Sequence, residues 1–304
     1  MLNKIKELVQ IASTSYNNFA LQEAINVCKK YYQNQYTKEI VYNNVSSILF
    51  ANCDSLQFDV LSVCHIDVVN ADNSLFNLKM GGGKIFGRGI FDMKSFIVSS
   101  LENLQKINHI KYGVLISTDE EIGGENCTKY WNEQFGLKAN IILDCDDGYN
   151  INAIINEKYG SCAIKLLDNA ENNKSFFNSV KDKLQDCELI NNDEINFYFQ
   201  NAFNKKLFKN IPYEILLLNE YYRISPNNQY LKLYKNIVEQ NTQGAAKFDC
   251  SRHVNDSRFF YNSANVIITH QATGGDNHKN TEWLDLESLY LFNKIQLEFL
   301  SKIK

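Results

Sequence analysis

Two prolines and five histidines are all that 304 residues contain, and residues 110–252 carry no histidine. None of the eight cysteines forms a Cys-x-x-Cys pair, which excludes a zinc knuckle and a dithiol redox motif. There is no run of Lys or Arg. With a net charge of −4 and a pI of 5.8, a nucleic-acid footprint is not expected. No apolar stretch approaches the ~18 residues of a membrane span. The first residues, Met1 to Val9, space their apolar side chains as a helix does, unlike the continuous apolar stretch of a signal peptide. Several cysteines lie inside apolar runs, as Cys64 does after Val60-Leu61-Ser62-Val63, where a thiol acts as a small hydrophobe. The reading is of free thiols in a reducing, cytoplasmic compartment.

What remains is an ordinary globular composition, 44% hydrophobic and 22% charged, long enough for one large domain with a small insertion. Ile5, Leu8, Val9 and Ala12 share a helical face, and a second helix is expected over 18–32. Strand-like runs follow at 39–42, 47–51 and 58–64, the last apolar enough to be buried on both faces. Asn70 to Gly83, rich in Asn, Asp and Gly, reads as loop. A helix over 93–107, a strand at 113–117, a helix over 125–134 and a strand at 140–143 complete an α/β pattern. It implies a mostly parallel sheet with helices on both faces. Residues 161–218 change texture to a small inserted α+β unit, leaving 1–160 and 219–304 as the main domain. Ser225-Pro226 reads as a helix start, Ala264 to Thr269 as a strand and Leu284 to Phe299 as a closing helix.

Polar residues capable of chemistry gather at the carboxyl ends of these strands, where open α/β sheets place their ligand groups. His65-Ile66-Asp67 ends the third strand, and in extended chain Asp67 points the same way as His65 and could orient its ring. Asp92 follows the turn Gly87-Arg88-Gly89, whose glycines permit tight backbone. Glu120 and Glu121 follow the fourth strand as adjacent carboxylates, whose repulsion a cation or a shared proton should compensate. Taken singly, each has a plain structural reading: a strand-end histidine, a helix cap, a surface acidic cluster. Taken in order, one His, one Asp and two Glu at one rim of a sheet suit a pair of zinc ions, because zinc takes both ligand types and one Asp can bridge two metals.

In three segments and a fourth near the C-terminus, the chain resembles the co-catalytic zinc peptidases and deacylases that include acetylornithine deacetylase, succinyl-diaminopimelate desuccinylase, carboxypeptidase G and aminoacylase. The matching segments are Cys64-His65-Ile66-Asp67-Val68-Val69, Gly83 to Lys94 with its Gly87-Arg88-Gly89-Ile90-Phe91-Asp92-Met93-Lys94 core, Thr118-Asp119-Glu120-Glu121, and Asn255-Asp256-Ser257-Arg258-Phe259 followed by His278-Lys279-Asn280-Thr281-Glu282. The resemblance implies a zinc exopeptidase-like fold over roughly 1–160 and 220–304, with the deacylase branch nearest. It implies that Asp92 bridges two Zn²⁺ ions, with Co²⁺ or Mn²⁺ as possible substitutes. His65 and a carboxylate after the fifth strand would complete one ion; Glu121 and His278 would complete the other. Asp144, Asp146 and Asp147 are the candidates for that carboxylate, and counting from the strand exit favours Asp146. Glu120 would be the general base, and a cis peptide at Asp92-Met93 would be expected.

The expected activity is hydrolysis of an amide bond in an N-acyl amino acid or short peptide. A dipeptidase or aminopeptidase, and a non-catalytic metal- or ligand-binding relative, are the alternatives. Relatives carry a lid and dimerisation insertion roughly twice the length of 161–218, which usually supplies a histidine to the scissile carbonyl oxygen. Here that stretch has no histidine, so His253 or His270 is expected to stand in or touch substrate, unless each is merely structural. His109 is expected at the surface. Arg258 could hold a substrate carboxylate, since its planar fork suits one, or pair with Asp256. With so short a lid, a monomer is expected rather than the family-type dimer.

Overall fold

The apolar run from Phe58 to Cys64 has no polar face to offer water, and it lies in the middle of the larger sheet. The computed structural model describes residues 1–304. The principal strands of that sheet are, in chain order, β1 (Tyr36–Tyr42), β2 (Val45–Ala51), β3 (Gln57–His65), β4 (Tyr112–Ser117), β5 (Lys138–Asp144), β6 (Ala153–Lys158) and β7 (Val266–His270). Side by side they run β1-β2-β4-β3-β5-β7-β6. The central four, β4, β3, β5 and β7, are parallel. Both flanks are antiparallel, through β2 on one side and β6 on the other. The fold is α/β with a mixed sheet: the expected parallel order holds at the centre, and β2 and β6 reverse it on the two flanks. No helix is long and apolar enough to cross a membrane.

Register decides what emerges at the rim. His65 pairs with Ser117 across β3 and β4, while Val63 pairs with Asp144 across β3 and β5. Three neighbouring parallel strands therefore end side by side, and the residues after each leave from one edge.

Outside the smaller unit described below, the helices are Leu2–Val9, Asn18–Tyr31, Ser95–Leu104, Thr128–Glu133, Gln229–Thr242 and Leu286–Lys302. The first buries Ile5, Leu8 and Val9. Two boundaries differ from the sequence reading. Ser225-Pro226 does not open the fifth helix: the chain first turns, Asn228 N–H donating to the Ser225 carbonyl, and the Asn228 side chain then caps Tyr230 and Leu231. An Asn side chain accepts both amide protons there, so the cap lies three residues beyond Ser225 and the helix starts at Gln229. Likewise the last helix, read from Leu284, starts at Leu286 after Asp285, which caps it by accepting from Ser288 N–H at 2.7 Å.

Residues 70–83 are not all loop. Asn73–Phe76 forms a 3-10 turn, and Lys79–Gly81 pairs with Lys84–Phe86. Lys84–Phe86 pairs in turn with Trp283–Asp285, a partner about two hundred positions away that local pattern could not disclose. This small sheet brings the segment before Asp92 against the segment after His278.

The chain divides into two units, one of residues 1–155, 225–248 and 255–304, the other of 156–224 and 249–254. The second is wider than the insertion drawn at 161–218, because Tyr159 N–H donates to the Ser251 carbonyl and draws 249–254 into it. Its four-stranded antiparallel sheet runs Gln185–Ile190, Glu194–Phe199, Gly160–Leu166, Tyr213–Asn219. Alternate side chains from it, Cys162, Ile164, Ile195 and Phe197, form a core with Phe208. The helix Ala170–Val180 starts at Asn169, whose side chain accepts from Asn172 N–H.

Candidate metal centre

His65 leaves the end of β3 with its ring 1% exposed. Its Nδ1 lies 3.0 Å from the Asp67 backbone oxygen and 3.4 Å from the Asp67 carboxylate. Both are acceptors, so the Nδ1 position carries the proton and Nε2 is turned to the pocket. Nε2 is 3.0 Å from Asp92 Oδ1 and 3.5 Å from Asp146 Oδ1.

Asp67 does more than steady that ring. Its fully buried carboxylate accepts the backbone N–H of Glu120 at 3.3 Å and of Glu121 at 3.1 Å, with the Ser15 hydroxyl at 2.8 Å. One side chain thus aligns the strand-end histidine with the loop that bears both glutamates. Ser15 had no local signal in the sequence; it arrives because residue 14 bridges to Val68.

Asp92 sits in a tight turn, Ile90–Lys94, entered through Gly89 at φ +78 and containing a cis Asp92-Met93 peptide. A Cβ on Gly89 would stand 2.8 Å from Val68 Cγ1, so only glycine fits. The two oxygens of Asp92 are divided: Oδ1 faces His65 Nε2, and Oδ2 is 3.1 Å from His278 Nε2. His278 Nε2 is also 3.1 Å from Glu121 Oε2. Two three-residue donor groups converge here, His65 with Glu120 and Asp146, and His65 with Asp92 and Glu121.

Asp146, and neither Asp144 nor Asp147, joins these groups. Asp144 is saturated: Oδ2 accepts from Asn255 Nδ2, Ser257 Oγ and Thr269 Oγ1 at 2.8–2.9 Å, and Oδ1 accepts from Asp146 N–H at 3.0 Å. It acts as the post on which the Asp146 loop is held, and Asn255 also reaches the Asp146 carbonyl. Asn255, Ser257 and Thr269 were not singled out in this role, since nothing short of the folded register brings them to β5.

Without a cation, protons have to offset the crowded carboxylates. Burial, then Asp146, drives the Glu120 carboxyl well above its usual value; burial, then Asp92, does the same to Asp146. Burial alone would lower His65, yet Asp146, Asp67 and Asp92 together raise it well above 6.5. Burial also works against the charge on Asp92, but His278 and His65 hold it well below the carboxylate range. The bond to Asp92, then that to Glu121, raises His278 to about 10. Carboxylates that crowd one pocket and imidazoles forced to share protons with them are a donor set that divalent cations fit.

The remaining candidates fall elsewhere. His270 is corrected: it lies in the core, its Nε2–H on the Ile151 carbonyl at 2.8 Å and its Nδ1 accepting from Tyr234 Oη at 3.0 Å. Burial lowers its pKa to about 4, and neither nitrogen is available to a substrate. Arg258 is also corrected. Its Nη1 donates to the Asn255 carbonyl and its Nη2 to Gly123 O at 2.6 Å, so the fork braces the loop after Glu121. The pairing with Asp256 is not made either, because Asp256 Oδ2 accepts from Ser117 and Thr128 while Oδ1 has no hydrogen-bond partner. Gly124, at φ +64, lies so close that an added Cβ would stand 2.0 Å from that oxygen. His253 is exposed and belongs to the second unit, where its carbonyl accepts from Lys158. His109 is exposed.

A parallel-centred sheet with histidines and carboxylates converging at its carboxyl rim presents a candidate divalent-metal centre. The profile of peptidase family M20/M25/M40 matches residues 61–302, and the chain belongs to that family. It is 29% identical over 175 residues to succinyl-diaminopimelate desuccinylase of Rickettsia africae (strain ESF-5), a match covering 51% of this chain and 43% of that protein. The aligned part is thus under half the length of this curated relative. In structure it is similar to the M20 family metallo-carboxypeptidase Sso-CP2 of Sulfolobus solfataricus, at a TM-score of 0.77 and 12% identity over 98% of both chains. Human carnosine dipeptidase 1 gives a TM-score of 0.73 and 12% identity, covering 98% of this chain and 94% of that one.

Proposed function

We propose that the protein is a two-zinc amidohydrolase acting on an N-acyl amino acid or a short peptide. One observation carries the reading: the two oxygens of Asp92 are shared between two imidazoles, with Asp146 beside one and Glu121 beside the other. His65, Asp92 and Asp146 would hold one ion; Asp92, Glu121 and His278 the other; Co²⁺ or Mn²⁺ could replace zinc in such a donor set. When bound, the ions supply Lewis acidity at the scissile carbonyl and a water acidified towards neutrality.

The chain's own part is proton handling and alignment. Glu120, fixed at its backbone by Asp67, takes the proton of the attacking water at its carboxylate. It then delivers that proton to the leaving nitrogen, so the carbonyl carbon gains oxygen as the C–N bond breaks. Asp67 keeps His65 and the glutamate loop in register throughout. The eight free thiols suit a reducing cytoplasm, and the short second unit suits a monomer, which sedimentation would check.

The test is turnover on a panel of N-acyl amino acids beside free-amine dipeptides, with metal content measured in parallel. Hydrolysis of the acylated members with two ions per chain supports the reading. Cleavage confined to free-amine substrates would make it a dipeptidase, and no turnover with metal bound would leave a binding protein.

A further inference from the structure

Glu282 ends the last of the matching segments, yet the chemistry above does not use it. It is 2% exposed, and its carboxylate accepts four hydrogen bonds. Oε2 takes Arg88 Nη1 at 2.6 Å and Gly89 N–H at 3.0 Å. Oε1 takes Phe91 N–H at 2.8 Å and Asp92 N–H at 3.2 Å. Its backbone carbonyl accepts from Gly87 N–H, and the next residue, Trp283, pairs with Phe86. It belongs to neither donor group. With those lone pairs engaged by N–H donors, it is occupied in holding protein rather than an ion.

What it holds is informative. The three amides it gathers belong to the turn that presents Asp92, and its own chain presents His278 four residues earlier. The same loop pair also carries the Asp92–His278 contact, 3.1 Å from Oδ2 to Nε2. His278 itself stands at φ +64 and is 51% exposed, so its own surroundings do little to place it. We infer that Glu282 is a positioning residue that sets Asp92 against His278 and thereby the affinity of the site for the cation between Asp92, Glu121 and His278. The inference rests on the two-ion reading of the site. The anionic charge matters because charge-assisted bonds from several amides are stiffer than neutral ones, and Arg88, 2% exposed, has no other anion among its bonds.

The experiment measures ion binding rather than turnover. Metal-free wild type, Glu282→Gln and Glu282→Asp are titrated with Zn²⁺ against a chelator of known affinity, with circular dichroism reporting the folded fraction. Co²⁺ absorption spectra report coordination at each step. In Glu282→Gln an amide NH₂ replaces one acceptor oxygen and opposes the backbone donors. In Glu282→Asp the charge stays but the shorter arm cannot span Arg88 and the Asp92 turn together, which keeps the test alive if the Gln variant fails to fold. The expected result is the ion between Asp92, Glu121 and His278 bound about 10–100-fold more weakly in folded variant, with an altered Co²⁺ spectrum, and the ion beside His65 weakened less, since Asp92 serves both while His65 and Asp146 do not depend on Glu282. A folded variant that binds both ions as wild type does overturns the inference while leaving the two-ion reading intact. Wild type that binds fewer than two ions overturns both.

Discussion

His65 and His278 stand at nearly equal distances from the two oxygens of one carboxylate, but the chain builds them in opposite ways. His65 closes a central strand, is buried, and has its second nitrogen engaged by Asp67 before any ion arrives. His278 lies in a loop, half exposed, and the partners of its Nε2 are the carboxylates with which it would share an ion. One half of the site is fixed by the sheet; the other depends on the small sheet and on Glu282. The lesson is that affinity and access can be divided between two neighbouring positions: the ion beside His65 should be the tenacious one, and the ion beside His278 the one open to solvent and substrate.

The harshest trial of this division is Glu120→Gln, since Glu120 converges with the buried half. The expected loss is on the order of 10²–10⁴ in kcat, with two ions still found by elemental analysis. Retained activity would remove Glu120 from the base role. Next come the histidines themselves. His278→Ala should leave about one tightly held ion per chain, whereas His65→Ala should lose both and lower Tm, because it strands buried carboxylates. Equal loss in the two variants would break the comparison outright.

A subtler trial uses pH on metal-free protein. His278 has its pKa raised from 6.5 to about 10, so the folded chain holds this proton where the unfolded chain has released it. Its stabilising contribution is therefore whole below pH 6.5 and is lost as pH climbs towards 10. The raised carboxyls of Glu120 and Asp146 act with the same sign, from 4.5 and 3.8 upward, and Asp92 opposes them only in acid. Lys94, lowered by burial to about 7, acts with the opposite sign over the same range, so the trial is a difference between chains: metal-free Tm should fall less, or rise more, with alkalinity in His278→Gln than in wild type, and zinc should shrink that difference. Equal slopes in metal-free wild type and His278→Gln would contradict the crowding of charge described above. The smallest effect belongs to Ser15→Ala, which removes one donor from Asp67 on the buried side. A loss of about 1 kcal/mol, seen as a less than ten-fold drop in kcat/KM, is expected.

Much of the site was legible in the residues. Strand ends announce themselves through apolar runs, and His65, Asp92, Glu121 and His278 each follow such a run or a glycine turn. Asp146 was harder, since Asp144 and Asp147 share its loop; the choice needed three donors from elsewhere in the chain to show Asp144 already occupied. His270 misled because a histidine at a strand end looks the same whether its neighbours are solvent or Tyr234 and Ile151. Arg258 misled in the same manner, its fork having found backbone carbonyls close by.

Local chemistry, then, was enough to place the strands that lead into the site, most of the helices and the residue types at the rim, because burial period and turn preference are short-range properties carried by neighbours in sequence; β6 and the small sheet, which pair with distant segments, escaped it. Which carboxylate faces the pocket, which histidine sinks into the core, and how Glu282 comes to grip the turn before Asp92 were decided only by folding. Those outcomes depend on hydrogen-bond partners a hundred or more residues apart, and such partners have no signature until register brings them together.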